Sequence, residues 1–419
     1  MNSPTREFLE LLPPQEALQR WLSQVDILPE PERIEIRSAL GRVLLEPITA
    51  SQPLPAFARS TVDGYALQAA DTFGASEGLP AYLRLIGETP MGAAPAFRLL
   101  RGQCALIHTG GMLPAGADAV VMVEHTQAAI PTEIEILRPC APDENVIRVG
   151  EDVQTGEVVI PSGTILRPAE IGGLAALGCT SIQVARKPQA GILSSGDEVV
   201  PPEAVPAPGQ VRDVNTSSLC ALIEEAGGLA VSYGILPDQA EALFAGAEKA
   251  LRECDLVIIT AGSSASTRDL TAEVINRLGP PGVLVHGVNV RPGKPTILAA
   301  CAPGGGKRKA VIGLPGNPVS ALVIARLFVA PLLRRMQGLR AEPRQPSVTA
   351  RLAVNLASAA GREDWIPVRL SVKQGAYTAE PVFGKSNLIF TLVRANGLVR
   401  IPSDATGLNA GEIVEVFLF

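Results

Sequence analysis

The rhythm of apolar positions changes repeatedly along the chain, and each change predicts a change of architecture. Pro14-Gln15-Glu16 opens a first helix running to about Val25. Pro31 to Leu45 carries apolar residues at helical spacing, interrupted near Gly41, and predicts a second helix. From Ser51 to about Asn145, short apolar runs broken by Gly and Pro predict strands near Tyr82–Ile86, Cys104–His108, Ala119–Val123 and Ile134–Leu137. Val146 to Val184 is mixed again, with a strand at Glu157–Ile160 and a helix that Pro168 starts and Gly178 ends. The segments on either side of the β-rich insert therefore read as parts of one discontinuous domain.

From Gln189 to about Gln337, apolar strands alternate with amphipathic helices. Predicted strands are Ala190–Leu193, Ala230–Ile235, Leu256–Thr260, and runs near Pro295–Ala300 and Ala310–Gly313. Predicted helices are Ser217–Ala226, Gln239–Arg252, Ala272–Leu278 and Pro318–Met336. This alternation predicts a mostly parallel sheet covered on both faces, with ligand sites at the carboxyl ends of its strands. Beyond Ala341-Glu342-Pro343 a last β-rich module has strands near Val348–Leu352, Ile366–Val372 and Ile413–Phe417. The expected class is thus α/β multidomain. Its parts are residues 1–50 with 146–186, a β-rich insert 51–145, an α/β domain 187–340 and a C-terminal β-domain 341–419.

Composition narrows the chemistry. At 419 residues the chain exceeds one ordinary core, and 40 Gly with 36 Pro favour short elements and turns. Net charge is -6 with Lys and Arg dispersed, so no nucleic-acid groove is expected and any anion site is local. The six cysteines are far apart and only three histidines are present, which is poor material for a zinc site or a disulfide framework. No run approaches the ~18 apolar residues that span a bilayer, and the N-terminus lacks a signal pattern. A cytoplasmic protein without membrane attachment is expected.

Four polar loops follow or adjoin strands of the α/β segment: Ser194-Ser195-Gly196-Asp197-Glu198, Thr260 to Asp269, Arg291-Pro292-Gly293-Lys294-Pro295, and Leu314-Pro315-Gly316-Asn317-Pro318-Val319-Ser320. Small residues let the backbone approach a ligand, and hydroxyls with free N–H groups suit oxyanions. Arg291 and Lys294 add positive charge, while Asp197, Glu198 and Asp269 suit a hard cation such as Mg²⁺. Any one such loop is commonly a turn or helix cap; four on one sheet edge point to a phosphate-bearing ligand with a metal. Pro303-Gly304-Gly305-Gly306-Lys307 lacks P-loop spacing and reads as a connection between two strands. His108, His125 and His286 have no ligand spacing, and no GxSxG or Cys–His arrangement supports covalent catalysis.

The ordered motifs go further. Ser60-Thr61-Val62-Asp63-Gly64-Tyr65-Ala66, Thr109-Gly110 through Gly116-Ala117-Asp118-Ala119-Val120-Val121, Arg148 to Asp152, Ser195-Gly196-Asp197-Glu198, Arg291 to Pro295 and Leu314 to Ser320 strongly resemble the MoeA/gephyrin E-domain family, the molybdopterin molybdenumtransferases. The resemblance runs from about residue 10 to 419. It implies an elongated discontinuous first domain, an α/β domain of molybdopterin-binding type, and a homodimer whose cleft lies between that domain and the last domain of the other subunit. It further implies a transferase of molybdenum cofactor biosynthesis that takes adenylylated molybdopterin and molybdate, with Mg²⁺, and releases AMP. Carried over by motif, Asp269 and Glu198 become the Mg²⁺ candidates and, with Asp63 and Asp152, the catalytic acids. Thr109, Ser264, Arg291, Lys294, Pro295, Pro315, Asn317, Ser320 and Arg362 become the substrate-binding set. The chain departs from the family pattern at Ala261, Ser266, Ala272, Arg291 and Phe390-Thr391. A molybdopterin-binding or scaffold paralogue without turnover, and a tungstate-inserting homologue, stand as alternatives.

Overall fold

The computed structural model describes residues 11–261, 265–339, 345–373 and 375–419, with the backbone alone at 265–268 and 373. The chain forms two compact units. One comprises Arg33–Leu40 and Leu44–Gln183; the other comprises the residues before Arg33, Gly41–Val43 and Val184–Phe419.

In the first unit, Ile48–Thr49 pairs antiparallel with Val158–Ile160, and Arg59–Ser60 pairs antiparallel with Val146–Ile147. The segments Ile48–Thr49 and Val158–Ile160, on either side of the insert, thus lie side by side. The insert is a mixed six-stranded sheet in the order Ala119–Met122, Gly64–Leu67, Gln103–Ile107, Ala81–Glu88, Glu133–Ile136, Thr126–Ile130. One face is packed by Leu67, Leu83, Cys104, Val121, Ile134 and Ile136. Gly64 is dictated by packing: a Cβ there would stand 1.9 Å from the Val121 carbonyl oxygen of the neighbouring strand.

The helix expected over Pro31 to Leu45 does not form. Pro31–Glu35 is a strand with alternating exposure, and Ile36–Ser38 is a single 3₁₀ turn. The backbone donors explain this: Ile36 N–H bonds Thr180 O at 3.1 Å and Leu44 N–H bonds Thr164 O at 2.9 Å. These groups are satisfied by distant chain rather than by the preceding turn, so tertiary pairing overrides the local period.

The second unit is built on a six-stranded sheet in the order Leu229–Leu236, Gln189–Ser195, Leu256–Ala261, Lys309–Pro315, Ile297–Cys301, Pro281–His286. The first four strands are parallel. Ile297–Cys301 runs antiparallel to both of its neighbours. The strand Pro281–His286 is absent from the sequence reading. Successive residues send side chains to opposite faces: Ile192, Ile258 and Ile312 join one core with Trp21, Leu219 and Phe328, whereas Leu193, Ile259 and Val311 join another with Leu243, Ala247 and Ile275. Both faces are apolar because both are covered by helices, so these strands read as continuous hydrophobic runs. Trp21, from the helix Pro14–Leu22, is fully buried and donates its Nε1–H to Ala299 O at 2.7 Å. The helix expected over Pro318–Met336 is divided, with a π turn at Ala325–Val329 between Pro318–Ile324 and Ala330–Met336.

The C-terminal module closes on itself. Glu363–Lys373, Ala376–Pro381, Ser347–Leu352, Ile413–Leu418 and Gly397–Ile401 pair in succession, and the last returns to the first. Closure leaves little free edge, and Leu352, Val368, Ala379, Val399 and Val416 fill the interior. One short strand from the α/β sheet's connections, Val290–Arg291, adds to Glu363–Lys373 in parallel.

Candidate active site

Three of the four polar loops leave the carboxyl ends of the parallel strands Gln189–Ser195, Leu256–Ala261 and Lys309–Pro315. The fourth, Arg291 to Pro295, reaches the same edge for a topological reason. It lies between Pro281–His286 and Ile297–Cys301, and Ile297 pairs with both His286 and Gly313 near that edge. The described parts of all four therefore start from or reach one edge of the sheet, as strand-end rules for open α/β sheets predict.

Between the first and last loops is a cavity of about 330 Å³, walled by Ser194, Ser195, Thr260, Glu198, Asn215 and Asn317 with Val199, Val211, Val214 and Pro318. The hydroxyls at its floor are ordered. Thr260 Oγ1 donates to Ser194 Oγ at 3.5 Å, and Ser195 Oγ donates to the Asp238 carboxylate. Asp238 N–H donates in turn to Asp197 Oδ1 at 3.3 Å. Asp213 caps the helix Asn215–Glu225, accepting from Thr216 N–H at 3.0 Å and Thr216 Oγ1 at 2.6 Å. Its carboxylate is thereby engaged, whereas the exposed Glu198 faces the cavity margin.

Guanidinium groups gather at the junction of the α/β sheet with the C-terminal barrel. Register pairing sets Arg291 opposite Asp364. The Asp364 carboxylate is wholly buried and accepts from Arg362 Nε at 2.7 Å and Nη2 at 3.1 Å. Arg291 Nη1 stands 3.8 Å from the same carboxylate. Arg291 and Arg362 thus meet within a single chain. The turn that carries Arg291 and Lys294 depends on Gly293, at φ +116°, where a Cβ would stand 2.3 Å from Ile324 Cγ1. Lys294 is exposed, its carbonyl held by Val288 N–H at 2.9 Å, and Pro295 is half-buried. The C-terminal module also touches the fourth loop: Asn317 Nδ2 donates to Ser386 Oγ at 3.1 Å, and Val319 N–H to Ser386 O at 3.0 Å.

Other expected residues stand differently. Pro315 is buried at the strand end, and Ser320 is only 4% exposed inside Pro318–Ile324, away from the cavity walls. Asp269 is exposed on Ala265–Arg277, and Ser264 lies outside the described residues. Among the described residues no three His, Cys, Asp or Glu side chains stand close enough to hold a metal by themselves. Ala272 packs against the second core rather than opening toward the cavity, and Thr391 is buried and bonded to Leu388 O at 2.8 Å.

Asp63, Thr109 and Asp152 belong to the first unit. Asp63 is exposed and accepts from Thr109 N–H at 2.8 Å and Thr109 Oγ1 at 3.2 Å. These two bonds, the backbone one first, hold its carboxyl below the usual carboxylate range. His108 bridges the same corner, with Nε2 3.0 Å from Glu88 Oε1 and Nδ1 3.6 Å from Asp63 Oδ1. Asp152 borders a separate cavity of about 500 Å³ with Arg59 and Glu151.

Sequence reasoning missed Asp238, Asn215, Asp364 and Ser386. Asp364 was findable as a carboxylate two residues after Arg362, a spacing that puts both side chains on one side of an extended chain. The others come from segments without a motif-like signal.

An open α/β sheet with a hydroxyl-lined cavity at its strand ends, in a unit that also holds paired arginines, is an arrangement suited to phosphate- or oxyanion-bearing ligands. The comparisons specify it further. Residues 12–178 match the MoeA N-terminal region (domain I and II), 191–335 a "probable molybdopterin binding domain", and 349–419 the MoeA C-terminal region (domain IV). A molybdopterin molybdenumtransferase of Nostoc is 32% identical, over 94% of this chain and 90% of that one. The protein of the same name from Bacillus subtilis is also 32% identical, over 93% and 90%. A crystal structure of the molybdopterin biosynthesis MoeA protein of Pyrococcus horikoshii superposes with a TM-score of 0.84 at 33% identity, covering 98% of this chain and 100% of that one. The chain belongs to the MoeA family.

Proposed function

We propose that this protein is a molybdopterin molybdenumtransferase, which inserts molybdate into adenylylated molybdopterin and releases AMP. The observation that carries this reading is that one compact unit of the chain holds both the strand-end cavity and the arginine pair. The cavity offers hydroxyls and a helix N-terminus to a phosphorylated heterocycle, and Arg291, Lys294 and Arg362 offer donors to a tetrahedral dianion. The relatives' names support the same assignment.

Molybdate and the pyrophosphate are both anions, so their encounter requires donors that neutralise charge without reorganising. Asp364 holds the Arg362 fork in place, and Gly293 allows the turn that presents Arg291 and Lys294. Arginine at 291 supplies a planar two-pronged donor where the family more often has a point charge. Ser195, oriented by Asp238, and Thr260 supply hydroxyls at the cavity floor.

Mg²⁺ typically takes one or two carboxylates together with substrate phosphates and waters, so it needs no all-protein cage. Glu198 and Asp269 are the carboxylates we assign to it. When bound, the ion would supply polarisation of the pyrophosphate as AMP departs. We place the protein in the cytoplasm, where its six free cysteines suit a reducing milieu, and as a homodimer. Among the described residues no helix is long and apolar enough to cross a membrane.

The test incubates purified protein with adenylylated molybdopterin, Mg²⁺ and either molybdate or tungstate, and follows AMP release. Molybdate-dependent release is expected. No oxyanion-dependent release would make the protein a binder or scaffold, and a tungstate preference would reassign the metal.

A further inference from the structure

The insert sheet ends in a row of three ionisable side chains that the strand-end cavity does not use: Glu88, His108 and Asp63. The strand order of that sheet produces the row. Gln103–Ile107 lies between Gly64–Leu67 and Ala81–Glu88, and His108 follows it directly. On one side Ile107 pairs with Gly64, which puts Asp63 beside His108. On the other side the register shifts between Leu85 and Glu88, so that Glu88 pairs with Leu106. A bulge of this kind re-aims a side chain, and here it brings the Glu88 carboxylate to the imidazole. Nε2 stands 3.0 Å from Glu88 Oε1, and Nδ1 stands 3.6 Å from Asp63 Oδ1.

With a carboxylate at each ring nitrogen, neither nitrogen is free to meet a ligand, so the ring acts through its neighbours. Asp63 Oδ1 already accepts from Thr109 N–H at 2.8 Å and Thr109 Oγ1 at 3.2 Å, and the imidazole is a third group on that same oxygen. Three groups on Oδ1 restrain the rotation of the carboxylate and leave Oδ2 as the oxygen available to a ligand. The side chain keeps 64% of its surface in solvent, so a ligand can reach it. The same groups lower the basicity of Asp63, Thr109 first and His108 after it. Such a carboxylate suits a cation or an N–H or O–H donor and is a poor proton acceptor. Exposed ion pairs add little to folding, so the row can be altered without unfolding the insert.

We propose that His108 is a positioning residue: anchored by Glu88, it holds the Asp63 carboxylate in one orientation, with Oδ2 left for the bound substrate. The inference rests on the function proposed above and on the place that the sequence motif gives Asp63 in that reaction. It divides the work within the row, since Asp63 meets the ligand and His108 and Glu88 do not. A carboxylate already ionised and oriented needs no reorganisation as charge develops in the reaction.

The experiment measures molybdate-dependent AMP release by wild type, His108→Gln, His108→Asn, Asp63→Asn and the double variant carrying Asp63→Asn with His108→Gln. Thermal unfolding is the check on folding. Glutamine keeps a donor near the Nε2 position for Glu88 and loses the group facing Asp63, whereas asparagine does the reverse. His108→Gln is expected to lower kcat/KM by ~3–10-fold, the range of one ordinary hydrogen bond, and His108→Asn to recover part of that loss. In the Asp63→Asn background, His108→Gln should add no further loss, because its effect passes through Asp63. The Asp63 carboxyl followed by NMR should titrate at higher pH in His108→Gln than in wild type. Full activity in His108→Gln, or equal losses with and without the Asp63 carboxylate, overturns the inference. So does an Asp63 titration that His108→Gln leaves in place. If wild type releases no AMP, the proposed reaction falls, and the Asp63 titration alone then decides whether His108 holds that carboxylate.

Discussion

Replacing Asp364 with asparagine tests whether one buried carboxylate holds the oxyanion end of the site. Asparagine keeps the volume but offers one acceptor oxygen and no charge. One of the two bonds to Arg362, at 2.7 and 3.1 Å, is therefore lost and the other ceases to be charge-assisted on the acceptor side. Breaking a fully buried pair costs ~3–5 kcal/mol. Arg362 keeps 29% of its side-chain surface in solvent and can turn toward water, which reduces the cost to ~2–3 kcal/mol. Arg291, 3.8 Å away and 63% exposed, adds little. At ~2 °C per kcal/mol for a unit of this size, the melting temperature should fall by ~4–6 °C in calorimetry. Two effects on molybdate oppose each other. Deleting a negative charge about 4 Å from a guanidinium favours the anion by ~1 kcal/mol in water-like surroundings. Releasing the Arg362 fork forfeits a charge-assisted bond of ~1.5–3 kcal/mol. Orientation is the larger effect, so KM for molybdate should rise ~3–10-fold with kcat nearly unchanged. An unchanged melting temperature with a lower KM for molybdate would refute this reasoning, because Asp364 would then be a charge brake and not a positioner.

Gly293→Ala forces a Cβ to within 2.3 Å of Ile324 Cγ1 at a φ that side chains rarely adopt, so we expect ~2–4 kcal/mol of destabilisation and weaker oxyanion binding. Unaltered denaturant midpoints would count against it. Trp21→Phe leaves Ala299 O without its side-chain donor and opens a void in a fully packed core; ~1–3 kcal/mol is expected, read as a lower midpoint at constant m-value. Asp63 titrates below its usual 3.8 because of Thr109, so its contribution to the insert is present above about pH 4 and is lost as pH falls through the depressed value. Thr109→Val removes the hydroxyl bond but leaves the stronger N–H bond, so the Asp63 carboxyl followed by NMR should titrate at higher pH than in wild type. No movement would mean that the hydroxyl is a bystander.

The parts legible in the sequence are those in which one face or one loop decides the outcome. The α/β strands were readable as apolar runs because helices cover both sides of the sheet, and the strand-end loops followed from that order. Pro31 to Leu45 misled because its backbone donors find partners near Thr164 and Thr180, a fact of tertiary pairing that no local period contains. Pro281–His286 was missed for another reason: its apolar run Val283-Leu284-Val285 is short and follows Gly279-Pro280-Pro281-Gly282, which reads as a loop, and the strand lies at the sheet edge.

The site divides along the same line. Motif residues such as Arg291 and Asn317 are visible because they sit in Gly- and Pro-rich turns whose composition is unusual. Asn215 and Asp364 look ordinary in sequence, an amide at a helix start and a carboxylate in a strand. What distinguishes them is burial combined with hydrogen bonding: Asp364 is wholly buried yet bonded to an arginine fork, and Asn215 is buried with one end tied and the other free. Both states follow from where Gly316 and Arg362 arrive in space. The donors that name the ligand class therefore come from motifs, whereas the groups that orient those donors emerge only when the sheet and the barrel are folded against each other.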